Sequence, residues 1–503
     1  MLRCQDRRAH RLPVNLQTLS AGVICTGFEG TSFDRSECFV GAEPFGGYLL
    51  FARNISSLAQ TRALTDQIRA ACAPVSPIIA ADQEGGRVMR LRAGVVEIPS
   101  MMALGATRSK ELALRAGKQM AQDIRRAGIS LTFAPVLDLA RESANTVIGN
   151  RSFGDDPAEV TRLAGAVAAG LSAGGVVATY KHFPGHGATA FDSHGVLPAV
   201  AMDQHTLRES DLAPFAALLP AADAVMSAHV VFESFEAKVP ATLSQRLLTG
   251  VLRTEIGFGG LCFTDCMQMD AIAATVGSAQ GAVRALEAGA DCITISHSVA
   301  LARQCATAIA TAVESGRLAL QRLQESYERV QALRRKLTNP LDVDVAASDP
   351  QIGREIAARA ITRVRGNAEC AREDVSIVDF GGNQVAAALQ DVPVRTLALE
   401  PDAGALSALS AWLRKTQKRP IVLMRRAHLH AEQAKAIEEL LHMAPDALLV
   451  SVQEPYDVEC FPSARSVLAT YGDDRPNMEA LERVLFVGQA PRGILPVRLP
   501  TVR

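Results

Sequence analysis

The segment 181–194 concentrates residues that can do chemistry. It reads Lys-His-Phe-Pro-Gly-His-Gly-Ala-Thr-Ala-Phe-Asp-Ser-His and holds three of the ten histidines of the chain, one lysine and one aspartate. It follows an apolar run at 175–179 that is typical of a buried strand. Enzymes of the α/β class place reactive groups in polar loops of this kind, directly after a strand. The sequence therefore predicts reactive groups here.

Asp192 and His194 form a pair in which the carboxylate can orient the imidazole and stabilise its protonated form. Such a pair can deliver a proton to a leaving group. A less favoured alternative is a metal site built from His186, Asp192 and His194. His182 and His186 cannot share one helix face, because Pro184 and the adjacent glycines prevent a regular helix.

A proton donor of this type needs a nucleophilic partner, and Asp265 is the candidate. It follows Phe263 and Thr264 at the end of a predicted buried strand. The alternative interpretation is a helix N-cap ahead of residues 267–274, since aspartate is favoured at caps.

Several other polar side chains follow predicted strands, where a barrel collects its active-site groups. These are Asp82, Asp138, Lys181, His182, His229, Asp265 and His297. The segment 82–90 adds two glycines and two arginines, and Arg90 can pair with Asp82 across a turn or bind sugar hydroxyls. Arg151 is either a substrate clamp or a donor that fixes its own loop. Asp138 and His229 are either ligand contacts or buried structural groups.

Eight apolar runs alternate with helix-period stretches over about the first 300 residues, which predicts a TIM (β/α)8 barrel. The predicted strands are 22–26, 47–52, 77–81, 131–137, 176–180, 224–228, 261–264 and 292–295. The predicted helices include 58–72, 110–127, 157–173, 243–255, 279–288, 301–314 and 318–337. An open doubly wound sheet is the alternative. It is less favoured, because it lacks the ring of loops around a barrel mouth that would explain why polar residues follow so many strands.

A proline-bracketed stretch at 339–350 is typical of a linker. The alternation of strands and helices resumes after it, with strands near 375–380, 395–399, 421–424, 447–452 and 466–470. We therefore predict a barrel domain over 1–338, a linker over 339–350 and a smaller α/β sandwich domain over 351–503.

Composition excludes several classes of protein. A net charge of −1 gives no electrostatic basis for nucleic-acid binding, and no apolar run reaches membrane-spanning length. Ten cysteines without paired spacing, and the lack of an apolar signal segment near the N-terminus, predict a cytoplasmic protein with reduced thiols. A small molecule is the expected partner, and the sequence does not define the oligomeric state.

These segments, in this order, resemble glycoside hydrolase family 3, and within it the β-N-acetylglucosaminidase branch. The resemblance runs through 47–54, 82–90, 133–138, 147–153, 181–187, 192–194 and 257–265. The Lys-His-Phe-Pro-Gly-His-Gly loop with its Asp-Ser-His continuation is the specific part and separates this branch from the β-glucosidases. The segment 488–497 is similar to the second domain of the family.

The resemblance implies a role for each matching position. Asp265 matches the nucleophile that forms a glycosyl-enzyme, and Asp192 with His194 matches the acid/base pair. The positions that hold the terminal N-acetylglucosamine are Asp82, Arg90, Arg151, Lys181 and His182. The family precedent also implies a retaining mechanism, no metal or cofactor, and recycling of cell-wall (peptidoglycan) fragments in the cytoplasm. The chain departs from the family in carrying Cys266 after the nucleophile, where we expect a buried structural thiol.

The expected activity is therefore that of an exo-acting β-N-acetylglucosaminidase, a hydrolase that removes a terminal non-reducing sugar from a small saccharide. A phosphorylase of the same substrates, a β-glucosidase of the same family and a non-catalytic sugar-binding protein are the alternatives. The natural aglycone and the role of the second domain stay open at this point.

Overall fold

Eight parallel strands close into a barrel in the first part of the chain. The structure is a computed structural model that describes residues 15–41, 43–189, 197–338, 348–382, 389 and 391–500. Each strand pairs with its neighbours in chain order, and the first pairs with the eighth, with Cys25 opposite Gly47 and Ile24 opposite Ile293. The strands are β1 Ile24–Gly27, β2 Gly47–Leu50, β3 Ile78–Ala81, β4 Leu131–Thr132, β5 Val177–Phe183, β6 Ala224–Ser227, β7 Leu261–Cys266 and β8 Cys292–Ile295. The predicted (β/α)8 barrel is confirmed, and the open sheet is wrong.

Several strands end at other residues than the sequence predicts, and β4, β5 and β7 matter most for the pocket. β4 is regular only to Thr132, because Pro135 has no N–H to donate to a ladder. β5 continues to Phe183, and β7 continues to Cys266 with a shift of register against β8. The longer β5 and β7 place Lys181, His182 and Asp265 inside strands at the carboxyl end of the barrel.

Helices surround the barrel, and most begin at a side chain that caps them. Ser57 accepts a hydrogen bond from the backbone N–H of Gln60, and Asp156 precedes Pro157, which tolerates the first helical position. The barrel-domain helices are Leu16–Gly22, Arg35–Cys38, Leu58–Cys72, Met101–Thr107, Lys110–Arg126, Pro157–Ala173, Gln204–Glu209, Ala213–Leu218, Asp270–Ala273, Ser278–Ala288, Val299–Glu314 and Leu320–Thr338, with a π-helix at Arg246–Glu255. No helix of the described residues is long and apolar enough to cross a membrane.

The second part of the chain forms a six-stranded sheet. Its strands are β9 Thr362–Arg365, β10 Val375–Phe380, β11 Val394–Leu397, β12 Arg419–Met424, β13 Leu448–Ser451 and β14 Ser466–Ala469, in the order β9-β14-β13-β12-β10-β11. The helices of this part are Ile352–Ala360, Ala403–Thr416, Ala431–Met443 and Arg475–Phe486. This confirms the smaller α/β domain. The sequence does not predict β9, an antiparallel edge strand whose polar Thr-Arg-Val-Arg run lacks the apolar signal of the others.

The two parts pack directly on each other. The hydroxyl of Ser100 donates to the carbonyl of Tyr471 at 2.7 Å, and the hydroxyl of Tyr456 donates to the carbonyl of Ala140 at 3.0 Å. One hydrophobic cluster includes residues of both sheets, such as Leu50 and Leu449. Residues 339–347 lie outside the described residues, so the boundaries 1–338, 339–350 and 351–503 stay a prediction.

Asp291, directly before β8, is a fully buried carboxylate at the end of the barrel opposite the strand ends discussed below. It accepts hydrogen bonds from the backbone N–H of Cys262, at 3.0 Å, and from Arg322 and Arg329, each at 3.0 Å, and it pairs with Arg253. Because the bond to Cys262 joins the start of β7 to β8, this ion cluster helps to fix the strand that carries Asp265.

We predict that Asp291→Asn lowers the free energy of unfolding by about 3 kcal/mol, since three arginines then lose their buried counter-charge. Urea denaturation followed by circular dichroism measures this. The control is Glu287→Gln, which breaks a surface pair with Arg317 and is expected to cost less than about 1 kcal/mol. Equal losses in the two variants would contradict a structural role for the Asp291 cluster.

Candidate active site

A pocket of about 420 Å³ opens at the carboxyl ends of the barrel strands. It brings together six of the residues predicted from the sequence: Asp82, Arg90, Arg151, Lys181, His182 and Asp265. Asp192 and His194 lie outside the described residues. The alternative metal site needs both of them together with His186, so the structure does not describe that site either. The loop that carries Asp192 and His194 begins at His186, which itself lines the pocket.

Lys181 is the centre of an ion network on one wall of the pocket. Its ammonium group is 3.0 Å from Oδ1 of Asp82 and 2.5 Å from Oε1 of Glu84. The other oxygen of Asp82 accepts a hydrogen bond from Arg90 at 3.1 Å. Burial raises the pKa of Asp82, but the charges of Lys181 and Arg90 outweigh it and hold that pKa below its ordinary value. Asp82 is therefore an ionised acceptor at neutral pH.

Glu84, which forms an acidic pair with Asp82 in the segment 82–90, belongs to this network, although the sequence assigns it no position in the site. Its carboxylate is buried and receives two hydrogen bonds from the guanidinium of Arg151, both at 2.8 Å. Burial raises the pKa of Glu84, but Arg151 and Lys181 shift it far below its ordinary range. Arg151 also donates to the carbonyl of Val147 at 3.0 Å, so it fixes its own loop as well as lining the pocket.

His182 is oriented by a second carboxylate. Its Nδ1 lies 2.6 Å from Oδ2 of Asp138, which also accepts the backbone N–H of His186 at 2.7 Å through Oδ1. Burial raises the pKa of Asp138, but the His182 ring lowers it more, so Asp138 is ionised and Nδ1 of His182 donates. Asp138 thus acts on the pocket through His182 and is absent from the pocket lining itself.

Asp265 lies within β7 and lines the pocket. Its Oδ1 accepts the backbone N–H of Cys266 at 2.7 Å. Burial raises the pKa of Asp265, but the charge of His182 and the hydrogen bond from Cys266 bring it below its ordinary value. The next helix begins at Asp270 after the cap residue Met269, so the interpretation of Asp265 as a helix N-cap is wrong.

His229 lies behind the pocket wall and His186 lines the pocket, and both are neutral groups. Nε2 of His229 is 3.0 Å from the carbonyl of Cys266, which can only accept, so we assign the proton to Nε2. Burial lowers the pKa of His229, and it lowers the pKa of His186 to about 4 with help from the charge of His182. His229 therefore supports the backbone beside Asp265, which leaves the pocket lining to other groups.

The mouth of the pocket is aromatic and basic. The ring of Phe51 lies under the guanidinium groups of Arg53 and Arg90, at 4.7 and 5.3 Å from the ring centre, and packs against His297 at 5.1 Å. Nε of Arg90 and Oγ1 of Thr294 are buried, and neither has a hydrogen-bond partner among the described residues. Both residues line the pocket.

The arrangement combines an ionised carboxylate with fixed donors and acceptors for a polar ligand. Asp265 has the charge state of a nucleophile, while Asp82, Arg90, Lys181 and His182 present charged and hydrogen-bonding groups suited to hydroxyl recognition. Within the described residues, no group of three or more histidine, cysteine, aspartate or glutamate side chains is arranged to hold a metal ion.

Known proteins are similar to this chain in sequence and in architecture. Residues 33–333 match the family described as the glycosyl hydrolase family 3 N terminal domain. A β-hexosaminidase of Pseudomonas aeruginosa is 44% identical over 250 residues, which are 49% of this chain and 73% of the relative. A β-hexosaminidase of Chromobacterium violaceum is 37% identical over 363 residues, which cover 68% of this chain and 99% of the relative.

A solved structure extends the similarity to the second domain. The glycoside hydrolase family 3 β-N-acetylglucosaminidase from Paenibacillus sp. str. FPU-7 superposes with a TM-score of 0.90 at 32% identity, over 97% of this chain and 100% of that structure. The match over more than half of the chain, together with the two-domain architecture, shows that this protein belongs to glycoside hydrolase family 3 and is a glycoside hydrolase.

Proposed function

We propose that the protein is a retaining exo-β-N-acetylglucosaminidase in which Asp265 attacks the anomeric carbon of a terminal non-reducing N-acetylglucosamine. The observation that carries the proposal is an ionised Asp265 at a strand end, in one pocket with the Asp82–Lys181–Glu84 network. The relatives named β-hexosaminidase and the Paenibacillus β-N-acetylglucosaminidase support this choice of sugar.

Five residues hold the terminal sugar in this proposal. Asp82 accepts from sugar hydroxyls, Arg90 and Lys181 donate to them, and His182 presents its Nε2 atom. Arg151 contributes the N–H groups that Glu84 and Val147 leave unused, because only three of its five N–H donors have partners among the residues that the structure describes. Binding in a single pocket at the carboxyl ends of the barrel strands suits an exo-acting enzyme, which removes one sugar at a time.

Asp192 and His194 are the proposed acid/base pair. His194, held by Asp192, protonates the leaving sugar as the bond to Asp265 forms. The neutral imidazole then takes a proton from water, and the water oxygen displaces Asp265 from the anomeric carbon. Two displacements at the same carbon retain its β-configuration. The start of this loop at the pocket, at His186, supports the assignment.

Cell-wall fragments are the proposed natural substrates, and the cytoplasm is the proposed location. The cysteines that the structure describes are all free, and most of them are buried, which suits a reducing compartment. Product analysis on a cell-wall disaccharide tests the substrate. Free N-acetylglucosamine in the presence of phosphate is expected, and release of a sugar 1-phosphate would contradict the assignment of water as acceptor.

We predict that Asp265→Asn reduces kcat on an aryl N-acetylglucosaminide by at least about 10³-fold, because an amide cannot form the glycosyl ester. Steady-state kinetics measure this, and circular dichroism checks the fold. The control is Asp270→Asn, an exposed carboxylate at the pocket rim, which is expected to stay within about threefold of the unmodified enzyme. Near-normal turnover by Asp265→Asn would refute the nucleophile.

We predict that His194→Ala slows substrates with poor leaving groups far more than activated aryl glycosides, by about 10²-fold or more in relative kcat/KM. Only the poor leaving groups need the proton. A series of aryl glycosides with leaving groups of different acidity, fitted for unmodified and variant enzyme, measures the effect. Equal losses across the series would exclude His194 as the acid.

The pH profile of kcat/KM on a disaccharide should decline on the alkaline side. The pKa of Asp265 lies below its ordinary value of 3.8, so the nucleophile stays ionised as the pH falls to about 4. As the pH rises, His194 loses the proton that the leaving group needs, and the rate falls. His194→Ala should abolish this alkaline decline. An alkaline decline that persists unchanged in the variant would assign it to another group.

A further inference from the structure

Glu454 lies in the second domain but contacts a pocket loop of the barrel. It follows β13, and its side chain is buried. One carboxylate oxygen, Oε1, accepts the backbone N–H of Asn150 at 3.1 Å. Both oxygens accept from the guanidinium of Arg426, each at 3.0 Å. A second bond between the domains runs from the side-chain amide of Asn150 to the carbonyl of Tyr471 at 3.0 Å.

The approach of Glu454 depends on the residue before Asn150. Gly149 has φ 45°, and a Cβ atom added there would lie 2.0 Å from Oε1 of Glu454. Any side chain at position 149 would therefore push the carboxylate away. The glycine and the glutamate fit each other across the boundary between the domains.

The contact is one residue away from the ion network of the pocket. Asn150 and Arg151 share the 3-10 turn Gly149–Arg151, and Arg151 holds Glu84, which in turn holds Lys181. A shift of the Asn150 backbone therefore moves the guanidinium that fixes Glu84. The second domain is thus connected to the wall of the pocket through Glu454–Asn150 at 3.1 Å, the peptide bond to Arg151, Arg151–Glu84 at 2.8 Å and Glu84–Lys181 at 2.5 Å.

The negative charge of Glu454 also compensates arginines around the same loop. Arg87 donates to the carbonyls of residues 146, 147 and 148 and therefore sits on the same loop. Burial lowers the pKa of Arg87 to about 10, and repulsion by Arg151 and Arg426 contributes. Burial raises the pKa of Glu454, but Arg426 and Arg87 lower it by more, so the net pKa lies below its ordinary value and the carboxylate is charged. It offsets the repulsion among three guanidinium groups around one loop.

We propose that Glu454 is a positioning residue, supplied by the second domain, that fixes residues 145–151 so that Arg151, Glu84 and Lys181 are prebuilt for the sugar. The inference rests on the proposed function for the identity of that sugar. It assigns the second domain a part in substrate affinity that acts through the backbone of the barrel loop, with no contact between Glu454 and the substrate.

The test compares Glu454→Ala, Glu454→Gln and Gly149→Ala in the full chain. Calorimetric titration measures the dissociation constant of N-acetylglucosamine, and hydrogen–deuterium exchange measures protection of the peptide that covers 145–151. Glu454→Ala should weaken binding about tenfold, as expected when a buried charged hydrogen bond is lost, and should speed exchange of the loop. The dissociation constant and loop exchange of Glu454→Gln should lie between those of the unmodified chain and Glu454→Ala. Its amide oxygen still accepts from Asn150, while the negative charge is gone.

Gly149→Ala should reproduce the effects of Glu454→Ala, because the added methyl displaces the carboxylate. The matched control is Tyr456→Phe, two residues from Glu454, which removes a different hydrogen bond between the domains, to Ala140. It should change neither the dissociation constant nor the exchange of the loop. Loss of folded protein would lower the binding stoichiometry and leave the dissociation constant intact.

Unchanged loop exchange in Glu454→Ala would overturn the inference. Faster exchange with an unchanged dissociation constant would also overturn it, since the loop would then move without consequence for the sugar. An unmodified chain that neither binds N-acetylglucosamine nor hydrolyses its aryl glycoside would contradict the proposed function instead, and the inference with it. The two failures are therefore distinguishable by the behaviour of the unmodified chain.

Discussion

Mutual charge compensation at the mouth of the barrel is the constraint on which the site depends. A carboxylate or guanidinium that leaves water must find counter-charges and hydrogen bonds in the protein, and here each member of the network finds them on another strand or loop. Lys181 from β5 lies between Asp82 and Glu84, which follow β3, and Arg151 closes the group. Removing any member takes a counter-charge away from at least one other member, so the network favours one arrangement of the wall that faces the ligand.

The barrel supplies what this network needs from the backbone. Parallel strands bring segments that are far apart in the chain to one face. The extension of β5 and β7 beyond their apolar cores turns the strand ends into rigid supports for Lys181, His182 and Asp265. Two neutral histidines, His186 in the pocket lining and His229 behind it, complete the support. Because His186 and His229 carry no charge at neutral pH, they hold backbone in place without adding a further cation beside the nucleophile.

The sequence predicts the barrel because each buried strand leaves an apolar run, and it predicts the pocket residues because polar groups follow those runs. It shows Glu84 only as one of an acidic pair with Asp82, since nothing local indicates that its charge meets Lys181 across the barrel. It does not predict β9, whose residues are polar and lie at a sheet edge. Glu454 leaves no signal either, because its partner Asn150 is separated from it by some 300 positions and belongs to the other domain. Pairing between distant charges is a property of the fold, which a linear pattern does not record.

The lowered pKa of Asp265 has opposite effects on the two halves of the proposed reaction. A weaker base is a poorer nucleophile in the first step, but its glycosyl ester leaves more readily in the second. Positive charge on the His182 ring lowers the pKa of Asp265, so it eases departure of the ester and weakens the attack. The Asp138 carboxylate, 2.6 Å from Nδ1 of His182, partly offsets such a charge. A buried carboxylate behind His182 therefore bears on both steps of the proposed reaction without touching the sugar.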